Sequence, residues 1–569
     1  MATQAVRVAT PRGLRLERVL PRLGLIAFIG VLGYLTLWPL IRLQYLALKN
    51  GGQGYTDAFS RPGWWTTVKW TIELGVGSLA IALVLGTALA WAAQSLPPRL
   101  GFLRVIPILP IVVPAVASVL GWAFLLSPHP GYLNQLLRLL LPWWHGQFEG
   151  PGDIYTLPWI IIITGLALAS FIYLFVSSGL EQINGELIEA AQVSGSSRTG
   201  VFFRVTLPLL RPSLVYGAGI ALLLGLGQFT APLLLGRSQN INVVTTDMYT
   251  ATQQIPPQYG LAAAIGSPLL VFGIVVLFMS RLLLGDNTRF VTHGGKGGFR
   301  TISPGSKLAA FWIVLYGLLS TFLPLLALVF VSLSKFWSGD VAPSKMTLDT
   351  WRTVTSASGV MPAVWNSIYL SLAAVAIALP IGFIAASLLH RRRDHRVAGP
   401  ILDFIVAVPL SIPAVIFGVG FLMVYTNKPL VLYGTRWVLV LVYVTLMIPF
   451  STRMQLGAMA ALGNSYNEAS RAAGAGPLRT NLQIVVPLLR PAFGGAAALM
   501  FVLLTHEFAA SLLVRAPTIN VMGTILYDYY ENGGYPLVAC ISLIMVGVTT
   551  AGVLAALVLG GGSDAFKRL

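Results

Sequence analysis

Charged residues are scarce, at 10% of the chain, where an ordinary soluble domain carries about 25%. Hydrophobic residues reach 56%, and mean hydropathy is +0.78 over all 569 residues. Together these exclude a sizeable water-soluble domain, so the apolar surface must face lipid. Acidic residues are the scarcer sign, 19 against 37 Lys and Arg. The net charge of +18 gathers in no groove-sized patch. It falls between apolar stretches, which reads as topology charge and excludes a nucleic-acid surface. Cysteine is nearly absent: Cys540 alone closes no internal disulfide and reads as a small packing residue. The G-x-x-x-x-G-K-[ST] pattern that cradles phosphates does not occur, and the glycines at 294–298 follow no strand. The chain is therefore expected to bind no cofactor and to hold no catalytic residue; a metal site is left open.

What is present is a series of stretches long enough to cross a bilayer, which takes about 20 helical residues. Twelve are predicted: 23–46, 67–94, 103–127, 156–180, 208–236 and 262–285, then 308–334, 364–389, 401–426, 435–457, 487–514 and 536–561. The stretch 131–144 is too short and is expected to lie at the interface. Arg7, Arg12, Arg15, Arg18 and Arg22 precede an apolar run longer than the core of a cleaved signal, so that run is expected to stay in the membrane. An even number of spans puts both termini on one side. Placing them in the cytoplasm puts most Lys and Arg there too, including the run 391–396, as the positive-inside rule requires. The expected fold is an all-α membrane protein: a basic N-terminus at 1–22, a six-span half at 23–285, a Gly-rich linker at 286–306, a second half at 307–562 and a short cytoplasmic tail at 563–569.

The two halves repeat. Pro110 and Pro114 fall on Pro409 and Pro413, 299 residues later, while Glu189, Gly195, Pro208 and Pro212 fall on Glu468, Gly474, Pro487 and Pro491, 279 residues later. The 20-residue difference is a surplus in the first half near 127–155. Six spans per half give both repeats the same orientation, a parallel repeat.

The most informative segments are the connections between the fourth and fifth spans of each half, 185–212 and 464–491. Glu189-Ala190-Ala191 and Glu468-Ala469-Ser470 should form short helices, small enough in side chain to lie in a partner's groove. Gly195 and Gly474 permit a reversal at positive φ, and Pro208 and Pro487 suit the first turn of the following helix. This spacing, found twice in register, resembles the coupling loop of permeases in the binding-protein-dependent ABC importer family. The resemblance implies that each loop seats in a cleft of a separate ATPase subunit, with Glu189 and Glu468 in polar contact and Gly195 and Gly474 setting the bend. Ser470 is a small-for-small departure from alanine. The resemblance further implies two ATPase copies that bind ATP and Mg, a soluble or lipid-anchored substrate-binding protein, and a bacterial inner membrane around the chain. Fusion of both halves, with the blocks at 227–232 and 507–513, looks most like the ferric-iron branch. Thiamine, polyamine and aminophosphonate importers compete with it. From another class, an ion-coupled secondary transporter also has six plus six parallel spans, but it needs no duplicated loop.

Ionisable groups inside spans are costly and point to pathways. Glu73 in the second span and Glu507 at the end of the eleventh stand opposite Tyr369 and Gln228 in the repeat. Gln228, His506, Glu507 and Glu73 are the candidate pathway residues, against the plainer reading of hydrogen bonds between packed helices. Trp64, Trp65, Trp143, Trp144, Trp337 and Trp351 read as an interfacial belt.

Overall fold

The computed structural model describes residues 13–284, 305–338, 344, 346–390, 397–463 and 465–559. The N-terminal residues 1–12, the basic run 391–396, nearly all of the expected linker and the tail from 560 lie outside the described residues. Every regular element among those described is helical. Seven helices are long and apolar enough to cross a membrane, and five further pairs qualify when each bent pair counts as one span, giving twelve. Each overlaps one of the twelve stretches read from sequence, and five of them are not straight rods.

The third and ninth spans turn sharply, by 93° between Pro98–Val112 and Ala115–Leu126 and by 108° between Ala398–Ser411 and Ala414–Tyr425. The matched prolines are the cause. A proline ring clashes with a helical residue before it, and Val113 (ψ 127°) and Ile412 (ψ 131°) are accordingly extended, just ahead of Pro114 and Pro413.

The fifth and eleventh spans start earlier and end sooner than expected. Each passes through a π-helical turn, Phe202–Thr206 or Asn481–Val485, and then bends by 70° or 63° before its long helix, Arg211–Leu226 or Arg490–Thr505. Pro208 and Pro487 therefore sit in the short turn ahead of the bend, while Pro212 and Pro491 occupy the first turn of the long helix. The spacing explains the bend: Pro212 and Pro491 have no N–H to give the carbonyl four residues back, that of Pro208 or Pro487. At the far end the long helices stop at Leu226 and Thr505, and the remainder becomes separate short pieces. Beyond them, Val244–Gln253 and Met522–Glu531 are buried helices that the sequence reading left unassigned.

The first helix begins at Gly13, inside the expected N-terminal segment, and its partner Trp38–Ser60 reverses at Asn50, Gly51 and Gly52, with φ of 56°, 71° and 85°. The surplus near 127–155 holds the short helix Tyr132–Leu140. Its Asn134 amide donates to the carbonyls of Ser127 (2.8 Å) and Gly152 (2.6 Å) and so pins the insertion. The expected tryptophan belt is split. Trp65 and Trp143 are exposed, whereas Trp64 is buried, Trp337 stacks edge-on to Phe124, and Trp351 donates to Ser332 Oγ at 3.3 Å.

Within each half the most extensive pairing is the same: second span with fourth, and eighth with tenth. The halves interlock through their first spans, Trp38–Ser60 against Ala414–Tyr425 and Leu323–Ser332 against Ala115–Leu126. Both crossings use a glycine against a proline backbone. A methyl group on Gly121 would lie 2.7 Å from the Pro324 carbonyl carbon, and one on Gly420 would lie 3.0 Å from the Pro39 carbonyl oxygen.

Candidate functional site: two loops and an axial cavity

The first loop is built on the helix Gly185–Val193, whose N-terminus is capped by Asn184 Oδ1 accepting from Glu186 N at 3.0 Å. Ile188 is buried beneath it, and Glu189 and Ala190 are exposed. The helix closes with Ser196 N on Ala191 O (3.0 Å) and Gly195 N on Gln192 O (2.9 Å), with Gly195 at φ +85°. That pair of bonds requires a left-handed residue at the position of Gly195, and glycine takes it without a Cβ penalty. In the second loop, on Ser465–Ala472, Ala475 N bonds Ser470 O at 3.0 Å, and Gly474 sits at φ +79°. Glu468 and Ala469 are exposed in turn. Ser470 does more than fill alanine's place: it is buried, and its hydroxyl shares a 2.8 Å hydrogen bond with Thr480 Oγ1. The matching positions in the first loop are Ala191 and the buried Val201.

A cavity of about 390 Å³ lies between the halves. The apices of the broken third and ninth spans wall it with Pro110, Val113, Ser411 and Pro413, and the breaks ending the fifth and eleventh spans contribute Gln228 and His506. The breaks have local causes. Gln228 O accepts from Thr245 Oγ1 (2.6 Å), and Phe229 N donates to Gln228 Oε1 (3.0 Å), so neither backbone group is free to continue the helix. Glu507 does not line the cavity. Its carboxylate accepts from Ala510 N (2.8 Å), Ser511 N (2.9 Å) and Ser511 Oγ (2.5 Å), capping the helix Ala509–Val514, and Ser511 Oγ also meets Tyr443 OH at 2.8 Å. Glu73 is not brought here either: it is exposed on the second span, 3.6 Å from Lys69.

Four aromatic rings missed in the sequence close the axis beside the cavity, at the ends of these spans distal to the loops. Tyr249, Phe229, Phe508 and Tyr527 form a row with centroid spacings of 5.7, 5.8 and 5.8 Å. The row is symmetric about its centre, because Phe229 matches Phe508 and Tyr249 matches Tyr527 in the repeat. Such ring pairs contribute about 0.5–1.5 kcal/mol each beyond their burial. Three further contacts join the halves: Tyr530 OH donates to Leu234 O (2.6 Å), and Arg237 bonds Glu531 (2.9 Å) and Tyr527 OH (3.2 Å).

A duplicated helical bundle of membrane-spanning length, with a cavity between its halves and paired loops exposed at one end, is a transport permease. The chain belongs to the family described as binding-protein-dependent transport system inner membrane component, which it matches twice, over residues 79–285 and 378–568. Each match contains one loop. Among its relatives, the ferric transport system permease protein FbpB of Actinobacillus pleuropneumoniae is 26% identical over 83% of this chain and 68% of its own length. A probable ABC transporter permease protein of Sinorhizobium fredii is 26% identical over 96% of this chain and 97% of its own length. The diacetylchitobiose uptake system permease protein NgcF of Streptomyces coelicolor, at 28% identity, covers only 40% of this chain.

Proposed function

We propose that this permease serves an ATP-driven importer whose cargo is ferric iron. The two loops, on the cytoplasmic face of a bacterial inner membrane, seat two copies of a separate ATPase that bind ATP and Mg. A soluble or lipid-anchored receptor delivers cargo at the opposite face. The observation that carries the reading is the duplicated loop geometry. Each loop is a short helix closed by a left-handed glycine, with an exposed glutamate, and is joined through a π-helical turn and a bend to the span that ends at the cavity. Val193, 90% exposed beside the first loop's bend, is an apolar side chain that a partner surface would cover. Closure of the ATPase pair would push both loops and rock the fifth and eleventh spans, shifting the protein between two states according to the partner's differential contacts with each. The iron assignment rests on the ferric relative and on fusion of both halves. A thiamine, polyamine or aminophosphonate cargo would use the same machinery.

The test is purification of the complex from its native membrane, followed by reconstitution into vesicles. A co-purifying ATPase and ATP-dependent uptake of radioactive ferric iron are expected. Uptake driven by an ion gradient without ATP would overturn the importer reading, and ATP-driven uptake of another solute in place of iron would overturn the cargo alone.

A further inference from the structure

Two residues of the cavity wall carry a buried polar atom with no partner, Thr164 Oγ1 and His506 Nδ1. Thr164 is only 3% exposed, and a buried hydroxyl left without a hydrogen bond is costly. The counterpart of Thr164 in the second half is Tyr443, whose hydroxyl is taken by Ser511. The counterpart of His506 is Gly227, which has no side chain. Unanswered hydrogen-bonding capacity therefore sits on one side chain from each half, both belonging to residues of the cavity wall. Gln228, also in the wall, keeps its side-chain NH₂ after its oxygen is used by Phe229 N. Among the described residues that line the cavity none is Asp, Glu, Lys or Arg, and the nearby Glu507 carboxylate is occupied by three donors.

We infer that cargo is met in this cavity by Thr164, Gln228 and His506 through hydrogen bonds, with no carboxylate ligand. This rests on the importer reading. A bare multivalent cation in an apolar cavity without carboxylates would carry a prohibitive desolvation cost. A cation passing here keeps its own shell of oxygen ligands, and the three side chains hydrogen-bond to that shell. A hydroxyl, an amide and an imidazole can each donate or accept, so they suit water, hydroxide or an oxyanion on the cargo. Weak contacts of this kind also favour release, which a passage site requires.

The experiment measures, in vesicles carrying the complete complex, the ratio of radioactive ferric iron moved to ATP hydrolysed. Thr164→Val keeps the side chain's shape and deletes the hydroxyl, and His506→Phe deletes both ring nitrogens. Each should lower the ratio by about tenfold, the loss of one hydrogen bond to a charged assembly, while His506→Asn, which keeps a donor and an acceptor, should retain most of it. A purely structural role would change the amount of complex recovered without moving the ratio. Unchanged ratios in both Thr164→Val and His506→Phe overturn the inference. If the wild-type complex carries thiamine, putrescine or 2-aminoethylphosphonate and no iron, the cargo assignment falls separately, and the same ratios measured with that solute decide the inference.

Discussion

Around the buried helices that follow the fifth and eleventh spans, the two halves answer the same backbone groups in the same way and keep the same aromatic row, but differ in their charged pairs. Thr71 Oγ1 accepts from Val244 N at 2.9 Å, and Ser367 Oγ accepts from Met522 N at 2.8 Å. Thr246 Oγ1 and Thr524 Oγ1 each accept, at 3.0 Å, from the residue three positions earlier. These are the first donors of short helices buried in an apolar bundle, and an unpaired N–H there is expensive. The charged side chains have diverged. Arg237 reaches across to Glu531 of the other half, while its counterpart Arg515 stays within its own half in a two-pronged pair with Asp528 (2.6 and 2.7 Å). Duplication has preserved the bonds that hold the backbone in place and released others for asymmetric use, including the cavity wall.

The comparison breaks most visibly at Asp247. Its carboxylate is buried and pairs with Arg61 at 2.7 Å, with Thr67 Oγ1 further off at 3.4 Å. The second half solves the same packing problem with Ala357 and Ile525, the latter lying against Gly359. Removing one partner of a buried ion pair strands the other, at a cost of about 3 kcal/mol. Arg61→Met should therefore lower the unfolding temperature in detergent by several degrees. The double change Arg61→Ala with Asp247→Ile, which copies the second half, should recover most of the loss. A double variant no more stable than Arg61→Met would show that the two halves are not interchangeable at this contact.

The next effect is expected where the halves cross. Valine at Gly121 or Gly420 forces side-chain atoms into the backbone of Pro324 or Pro39, and overpacking of this kind costs about 1–3 kcal/mol. Gly121→Val should be the worse of the two, since its contact is the closer. The yield of monodisperse chain after detergent extraction reads this directly. Equal yields for both variants would mean that the two crossings relax alike.

Much of this arrangement was legible in the sequence, and the parts that were not share a cause. Twelve apolar stretches gave the spans because lipid demands length and hydropathy together, and the repeated glycines at 195 and 474 announced reversals that occur. The matched prolines at 114 and 413 were visible as a repeat, but hydropathy does not register direction, so the turns of about a right angle were missed. The buried helices Val244–Gln253 and Met522–Glu531 were too short and too polar to count as spans. Glu507 was singled out as ionisable within the membrane. Its actual partners are N–H groups three and four residues ahead, a capping role that the break at His506 makes possible and that no periodicity reveals. The aromatic row had a usable signal: Phe229 and Phe508 immediately follow the polar residues singled out in each half and align in the repeat.

The finest difference between the halves lies in the loops. The second loop joins its two helices with the Ser470–Thr480 hydrogen bond, where the first has Ala191 and Val201 in one apolar cluster. Ser470→Ala leaves the buried Thr480 hydroxyl its bond to Gly476 O at 3.1 Å, so the loss should be about 1 kcal/mol. Adding Thr480→Val replaces both polar partners by apolar ones of similar shape, a change that is often nearly neutral, and it recreates the first loop's chemistry. Hydrogen exchange at Ala475 N, which closes the second loop's helix on Ser470 O, should quicken in the single variant and return toward the wild-type rate in the double. A double variant that exchanges as fast as the single would mean that the second loop depends on its hydrogen bond for rigidity. Loops stiffened by different means would then transmit an equal push from their partners unequally to the fifth and eleventh spans.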